Sequence, residues 1–214
     1  MKDSDGRRDL AKQLDLAIKK IKKLQTEKQN LLEELYIDHL TRIGNRRAFD
    51  EKLPGLVKLA HSSNEPLAVL IADVDGLKRV NDALGHTKGD ELLITIAKEL
   101  DARARHTDLV GRLGGDEYYA VLPGFSPLTN QTEARLMEAT AHRYGQAFGA
   151  AVAKLGLPAQ LSVGVSFGIA ILMPNETAED LYRRADEIAR SHKKHLYANL
   201  SKAGASFKDE RLDT

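Results

Sequence analysis

The 214-residue chain contains no cysteine. That single absence excludes a disulfide framework, thiolate zinc sites, iron–sulfur clusters and thiol catalysis, and it is consistent with a reducing cytosol. An excess of either charge is also missing, since 32 Lys and Arg stand against 31 Asp and Glu for a formal net charge of +1. No global field therefore argues for nucleic acid or an anionic membrane as partner. No stretch approaches the ~18 to 20 apolar residues of a membrane span, and the opening MKDSDGRRDL has no apolar core of a signal peptide. The chain reads as a soluble, cytoplasmic protein. A GxxxxGK[ST] phosphate loop is absent as well. At 42% hydrophobic and 29% charged residues, the chain can bury one full core but is too short for two large domains. Its function has to be sought in a local site.

Glycine and proline are absent from residues 7–37, which are rich in Lys, Gln, Leu and Glu, all good helix formers. In a seven-residue frame one position takes Leu14, Ile21, Lys28 and Leu35, and its partner takes Leu10, Ala17, Leu24 and Leu31. Only Lys28 breaks this seam. The pattern predicts a helix of about 30 residues that pairs as a parallel coiled-coil dimer. The alternative is a single amphipathic helix folded against the domain. Lys19, Lys20, Lys22 and Lys23 interrupt the apolar seam and read as a solvated face. Residues 1–37 are thus expected to form a signalling helix and 38–214 a globular domain.

From residue 38 helical and strand patterns alternate. Helices are predicted over 46–61, 78–84, 91–105 and 130–155, with a further one starting near 177. The segment GHTKGD at 85–90 reads as a loop. Strands are predicted over 67–74, 108–113, 118–122 and 161–172, the middle two forming a hairpin around Gly114, Gly115, Asp116 and Glu117. Strand, helix, hairpin, helix, strand is the βαββαβ order of ferredoxin-like and polymerase-palm sheets, an α/β (α+β) class with flanking helices. In that topology the end of the first strand, with Asp73 and Asp75, can meet the hairpin turn, with Asp116 and Glu117.

Four converging carboxylates repel one another, and a divalent cation resolves the conflict. Oxygen ligands without nearby His or Cys point to Mg²⁺ or Mn²⁺ in company with substrate phosphates. The competing structural reading is a strand end followed by a helix cap, and a tight turn. An EF-hand starting at Asp73 fails, because Lys78 and Leu84 stand where Gly and Glu are needed.

Four segments, LTRIGNRRAF (40–49), DVDGLKRVNDALGHTKGD (73–90), RHTDLVGRLGGDEY (105–118) and VSFGIA (165–170), together resemble the successive signatures of the GGDEF family of diguanylate cyclases across about 38–195. The resemblance implies condensation of two GTP into cyclic di-GMP with release of two pyrophosphates. It implies that Asp73, the Val74 carbonyl and Asp116 hold metal, and that Glu117 assists metal binding and activates the 3′-hydroxyl. Gly114 and Gly115 would let substrate approach the backbone, Asn81 and Asp90 would read guanine, and Lys78 and Lys193 would contact phosphates. A carboxylate at Asp90 can accept from the N1 and N2 hydrogens of guanine, a donor pair adenine lacks. For Asn81 and Asp90 the structural alternative is helix capping.

Arg105 and Asp108 form an RxxD pair resembling the family's inhibitory product site, with an i,i+3 ion pair at a helix end as the alternative. The resemblance also implies a homodimer, since each site holds one GTP. Departures gather late in the chain: Tyr197 stands where the family pattern places an arginine, four residues after Lys193, and Tyr118 replaces a phenylalanine. A final strand expected near there is put in doubt. An active cyclase is therefore one reading. The other is a GTP or cyclic di-GMP receptor without turnover.

Overall fold

The computed structural model describes residues 3–124 and 133–202. Helix α1 spans Asp3–Tyr36 and α2 Arg46–Ser63. Strand β1 (Leu67–Asp75) is followed by α3 (Leu77–Leu84) and α4 (His86–Arg103). The hairpin is β2 (Leu109–Gly114) and β3 (Glu117–Pro123). After it come α5 (Glu133–Leu155), a 3₁₀ turn at Ala159–Leu161, β4 (Gly164–Ile171) and α6 (Ala178–Lys202). The predicted start of α5 at residue 130 lies outside the described residues.

The sheet order is β2-β3-β1-β4, with every neighbouring pair antiparallel. This is the βαββαβ arrangement expected, with one refinement: only β3 of the hairpin is central, and β2 lies at the edge. Side chains on β1 alternate between two cores. Ala68, Leu70, Ala72 and Val74 pack with Leu92, Ile96 and Phe148 of α4 and α5. Leu67, Val69 and Ile71 pack with Phe49, Leu181 and Ala185 of α2 and α6. Leu92 and Ile96 are at most 1% exposed, and burying each contributes about 1.5 to 3 kcal/mol. Continuing the odd-numbered set, Asp73 and Asp75 fall on the α6 face just where the apolar run ends.

Gly168 brings that helix close: a Cβ there would lie 2.4 Å from the Ala189 nitrogen and about as near the Ala185 carbonyl oxygen. A side chain at 168 would push α6 off the sheet.

Asn45 links α1 to the sheet-bearing body. Its Oδ1 accepts from the Ala48 N–H at 2.9 Å and so caps α2, while its Nδ2 donates to the Leu35 carbonyl at 3.0 Å. The Tyr36 hydroxyl adds a 2.6 Å bond to Glu51. Along α1, Leu10, Leu14, Ile21, Leu24 and Leu31 are all more than half exposed. A single amphipathic helix folded over the domain is therefore not what forms.

Among the described residues of the 38–214 domain, two element starts differ from those expected by more than two residues. Residues 86–90 belong to α4, because Gly85 (φ +85°) supplies the break between α3 and α4 alone. Residues 161–163 precede the strand, because Arg79 donates to the Leu161 and Ser162 carbonyls at 2.8 and 2.9 Å and takes the acceptors a ladder would use. Near the chain's end α6 continues through Lys202, so no strand follows Lys193 among the described residues.

Candidate active site

Asp73 and Glu117 face each other in register across β1 and β3, so their side chains share one face of the sheet. The Val74 N–H donates to the Asp116 carbonyl at 3.0 Å and ties the hairpin turn to the end of β1. Asp116 is buried. The turn itself depends on Gly114 (φ +145°) and Gly115 (φ +54°), backbone conformations that disfavour any side chain. A Cβ on either would meet no protein atom within 4 Å. Crowding by the protein does not explain these glycines, and the space over them stays open.

The four carboxylates do not converge. Asp75 is drawn away into the interior, where it is 3% exposed and accepts a 2.8 Å bond from the Ser166 hydroxyl. Lys193, on α6, places its ammonium 2.9 Å from Asp73 Oδ1 and 4.0 Å from Asp75 Oδ1. Among the described residues, no three His, Cys, Asp or Glu side chains gather as a metal site. That leaves Asp73 near the end of β1 and Asp116 in the hairpin turn, whose main chain is tied to β1 through Val74. Two carboxylates and a carbonyl are hard oxygen donors, and that set fits Mg²⁺, which leaves its other positions to water and phosphate.

Lys78 is exposed on α3. Asn81 packs against Gly89, where a Cβ would sit 1.9 Å from Asn81 Oδ1. That oxygen is buried without a hydrogen-bond partner. Asp90 follows directly and is exposed on α4. Neither residue caps a helix, since Gly76 and Gly85 hold the N-cap positions of α3 and α4; the capping alternative fails.

At the RxxD pair, the Arg105 main-chain N–H donates to Asp108 Oδ2 at 2.9 Å. The same oxygen accepts from the Tyr144 hydroxyl at 2.9 Å and pairs with Arg143 at 3.3 Å. Burial, and then the adjacent carboxylate, raise the Tyr144 phenol above its ordinary pKa, so it remains a donor. The side chain of Arg105 is exposed. Arg143, 35 residues away in sequence, carries no local signal that would have linked it to this pair.

Arg112 was also missed. Its guanidinium donates twice to the Gly115 carbonyl, at 2.9 and 2.6 Å, and pairs with Asp38 at 3.2 Å. Asp38 in turn accepts from the N–H and hydroxyl of Thr41. Burial works to raise the Asp38 carboxyl, but the Thr41 donors and the Arg112 charge outweigh it and hold the pKa below 3.8. The substituted Tyr118 finds the partner its hydroxyl requires in the Leu93 carbonyl at 2.8 Å.

A palm-like sheet carrying acidic residues at the ends of its two central strands defines the class. The family model for the diguanylate cyclase GGDEF domain matches residues 35–197, and the chain belongs to the GGDEF family. It is 39% identical over 112 residues to diguanylate cyclase TpbB of Pseudomonas aeruginosa, covering 52% of this chain and 25% of that protein. To the response regulator PleD of Caulobacter vibrioides it is 34% identical over 164 residues, 77% of this chain and 35% of that one. The chain thus spans a quarter to about a third of these relatives. Among solved structures, the coiled coil and GGDEF domain of DgcB from Caulobacter crescentus, in complex with c-di-GMP, superposes with a TM-score of 0.70 at 21% identity. That match covers 87% of this chain and 95% of the other, and it bears on the fold.

Proposed function

We propose that the chain is a diguanylate cyclase that condenses two GTP molecules into cyclic di-GMP. The observation that carries the reading is the Asp73–Glu117 register pair, set beside an open glycine turn within a GGDEF match over 35–197. In each half-reaction the 3′-oxygen of one GTP bonds to the α-phosphorus of the other and pyrophosphate leaves. Asp73, Asp116 and the Val74 carbonyl would hold Mg²⁺ or Mn²⁺. When bound, the cation neutralises triphosphate charge and favours ionisation of the 3′-hydroxyl. Glu117 accepts the hydroxyl proton at its carboxylate. Asn81 and Asp90 orient the guanine, and the buried, partnerless Asn81 Oδ1 supports a ligand donor there, since such an acceptor is costly to leave unmade. Gly114 and Gly115 admit the nucleotide against the backbone, and Lys78 and Lys193 bind phosphate oxygens.

Because one domain supplies half of the reaction, two must face each other. The exposed leucine row of α1 supports pairing of residues 1–37 as a coiled coil that raises the effective concentration of the 38–214 domains. Arg105 and Asp108, with Arg143 beside them, are read as the site where product inhibits. No helix in the described residues is long and apolar enough to cross a membrane, and the proposed location is cytoplasmic.

A receptor without turnover is the second reading. It is favoured by Lys193 being engaged with Asp73 while Tyr197 stands where the family resemblance predicts an arginine. Incubation of purified protein with GTP and Mg²⁺, with product identified by mass spectrometry, separates the two. Cyclic di-GMP from the parent but not from Glu117→Gln is the expected result. GTP binding by a demonstrated dimer without product would establish the receptor.

A further inference from the structure

Lys193 raises a question that phosphate binding alone leaves open. Its side chain is 9% exposed, so this is not a surface lysine waiting in solvent. Its ammonium sits 2.9 Å from Asp73 Oδ1 and 4.0 Å from Asp75 Oδ1, and 5.9 Å from the ring centroid of Tyr197. Asp75 is itself fixed by Ser166, and Gly168 holds α6 against β4, so the helix presents the ammonium to β1 at close range. A carboxylate can hold two cations through its two oxygens, but an ammonium at this distance already neutralises much of the charge that would draw magnesium to Asp73. Leaving both cations in place would set like charges a few ångströms apart. Tyr197 reinforces the arrangement. An arginine at that position would repel the ammonium, whereas an aromatic face attracts it.

We propose that Lys193 is an internal counterion that occupies the Asp73 metal position in the nucleotide-free protein. A triphosphate then draws its ammonium away, so metal and nucleotide bind as a pair. The flexible four-carbon stem of lysine allows that swing from a fixed helix. No covalent step is involved; the ammonium gives up its pairs with Asp73 and Asp75 for the phosphate, and the metal takes the Asp73 carboxylate. The inference rests on the assignment of Asp73 as a metal ligand made above.

The test is direct Mn²⁺ titration of the intact protein, reading the free-ion electron paramagnetic resonance signal without nucleotide. Parent, Lys193→Met, Lys193→Gln and Asp73→Asn are compared, with circular dichroism checking the fold of each. Gln keeps a hydrogen-bond donor for Asp73 without charge, so a result remains available if Met at this buried position fails to fold. The expected outcome is Mn²⁺ binding at least tenfold tighter in the Lys193 variants than in the parent. The gap should close to within about threefold when guanosine 5′-(α,β-methylene)triphosphate saturates every protein; its methylene bridge blocks loss of pyrophosphate. Equal Mn²⁺ affinity in parent and Lys193 variants, abolished by Asp73→Asn, would overturn the counterion and leave the metal assignment standing. Mn²⁺ binding that survives Asp73→Asn unchanged would overturn the metal assignment, and the counterion with it.

Discussion

Replacing Arg112 by alanine should damage the turn more than the fold. The guanidinium makes two charge-assisted bonds to the Gly115 carbonyl, at 2.9 and 2.6 Å, and such bonds contribute about 1.5 to 3 kcal/mol when a charged group is involved. It also pairs with Asp38, the two side chains being 11% and 14% exposed. Breaking a buried pair costs as much as ~3 to 5 kcal/mol. This pair is only partly buried and Asp38 keeps both Thr41 donors, so its share is about 1.5 kcal/mol, and with a similar share from the Gly115 bonds the total loss is about 3 kcal/mol. For a domain of this size that is a fall in Tm of roughly 6 to 12 °C. Urea unfolding of parent, Arg112→Ala and Arg112→Lys measures it. Lysine keeps the charge for Asp38 but cannot fork onto the Gly115 carbonyl, so it should recover about half of the stability.

Turnover of GTP should fall at least tenfold in both variants at temperatures where they remain folded, because the Gly114 and Gly115 turn loses its anchor. Undiminished turnover in folded Arg112→Ala would refute the positioning role. A stability loss under about 0.5 kcal/mol would refute the energetics. The same pair has a pH signature. The Asp38 pKa is depressed in the fold, so its stabilisation is complete above the unfolded value of 3.8 and is lost as pH falls through the lower folded value. Asp38→Asn should lack that acid limb.

Three further outcomes follow from close contacts. Gly89→Ala puts a Cβ 1.9 Å from Asn81 Oδ1; it should raise KM for GTP about tenfold or more, with little change in the far-ultraviolet circular dichroism spectrum. Gly168→Ala collides with the backbone of α6 at Ala185 and Ala189 and should lower stability by about 1 to 3 kcal/mol in urea melts, since backbone cannot yield as a side-chain tip can. Arg105→Ala removes an exposed guanidinium while sparing the main-chain bond to Asp108; turnover should persist and inhibition by added cyclic di-GMP should weaken at least tenfold. Undiminished inhibition in that variant would remove Arg105 from the product site.

What could be read in advance, and what could not, divides by range. The βαββαβ order, the hairpin and the site-bearing strand ends follow from local period and turn composition, which neighbouring residues set among themselves. GHTKGD was misread because glycine does two different jobs within five residues. Gly85 breaks the chain at positive φ, whereas Gly89 lies inside α4 and is small so that Asn81 can approach. The start of β4 was misplaced because Arg79, 82 residues before Leu161, takes the carbonyl there.

The same limit governs the site. Asp73, Asp116 and Glu117 are visible as acidic residues ending strands, but the sequence alone implies four mutually repelling carboxylates. The fold answers that repulsion with cations and donors brought from elsewhere. Ser166 holds Asp75, and Lys193 reaches Asp73 across 120 residues. Neutralisation is a tertiary property, because the opposing charge sits on a different element. A sequence reading can name the carboxylates that need a counterion; which cation meets them, the protein's own ammonium or a metal ion, depends on how closely α6 packs against the sheet. Gly168 sets that distance, and nothing in the local pattern of its segment, VSFGIA, which reads as a strand, shows which helix must pack there.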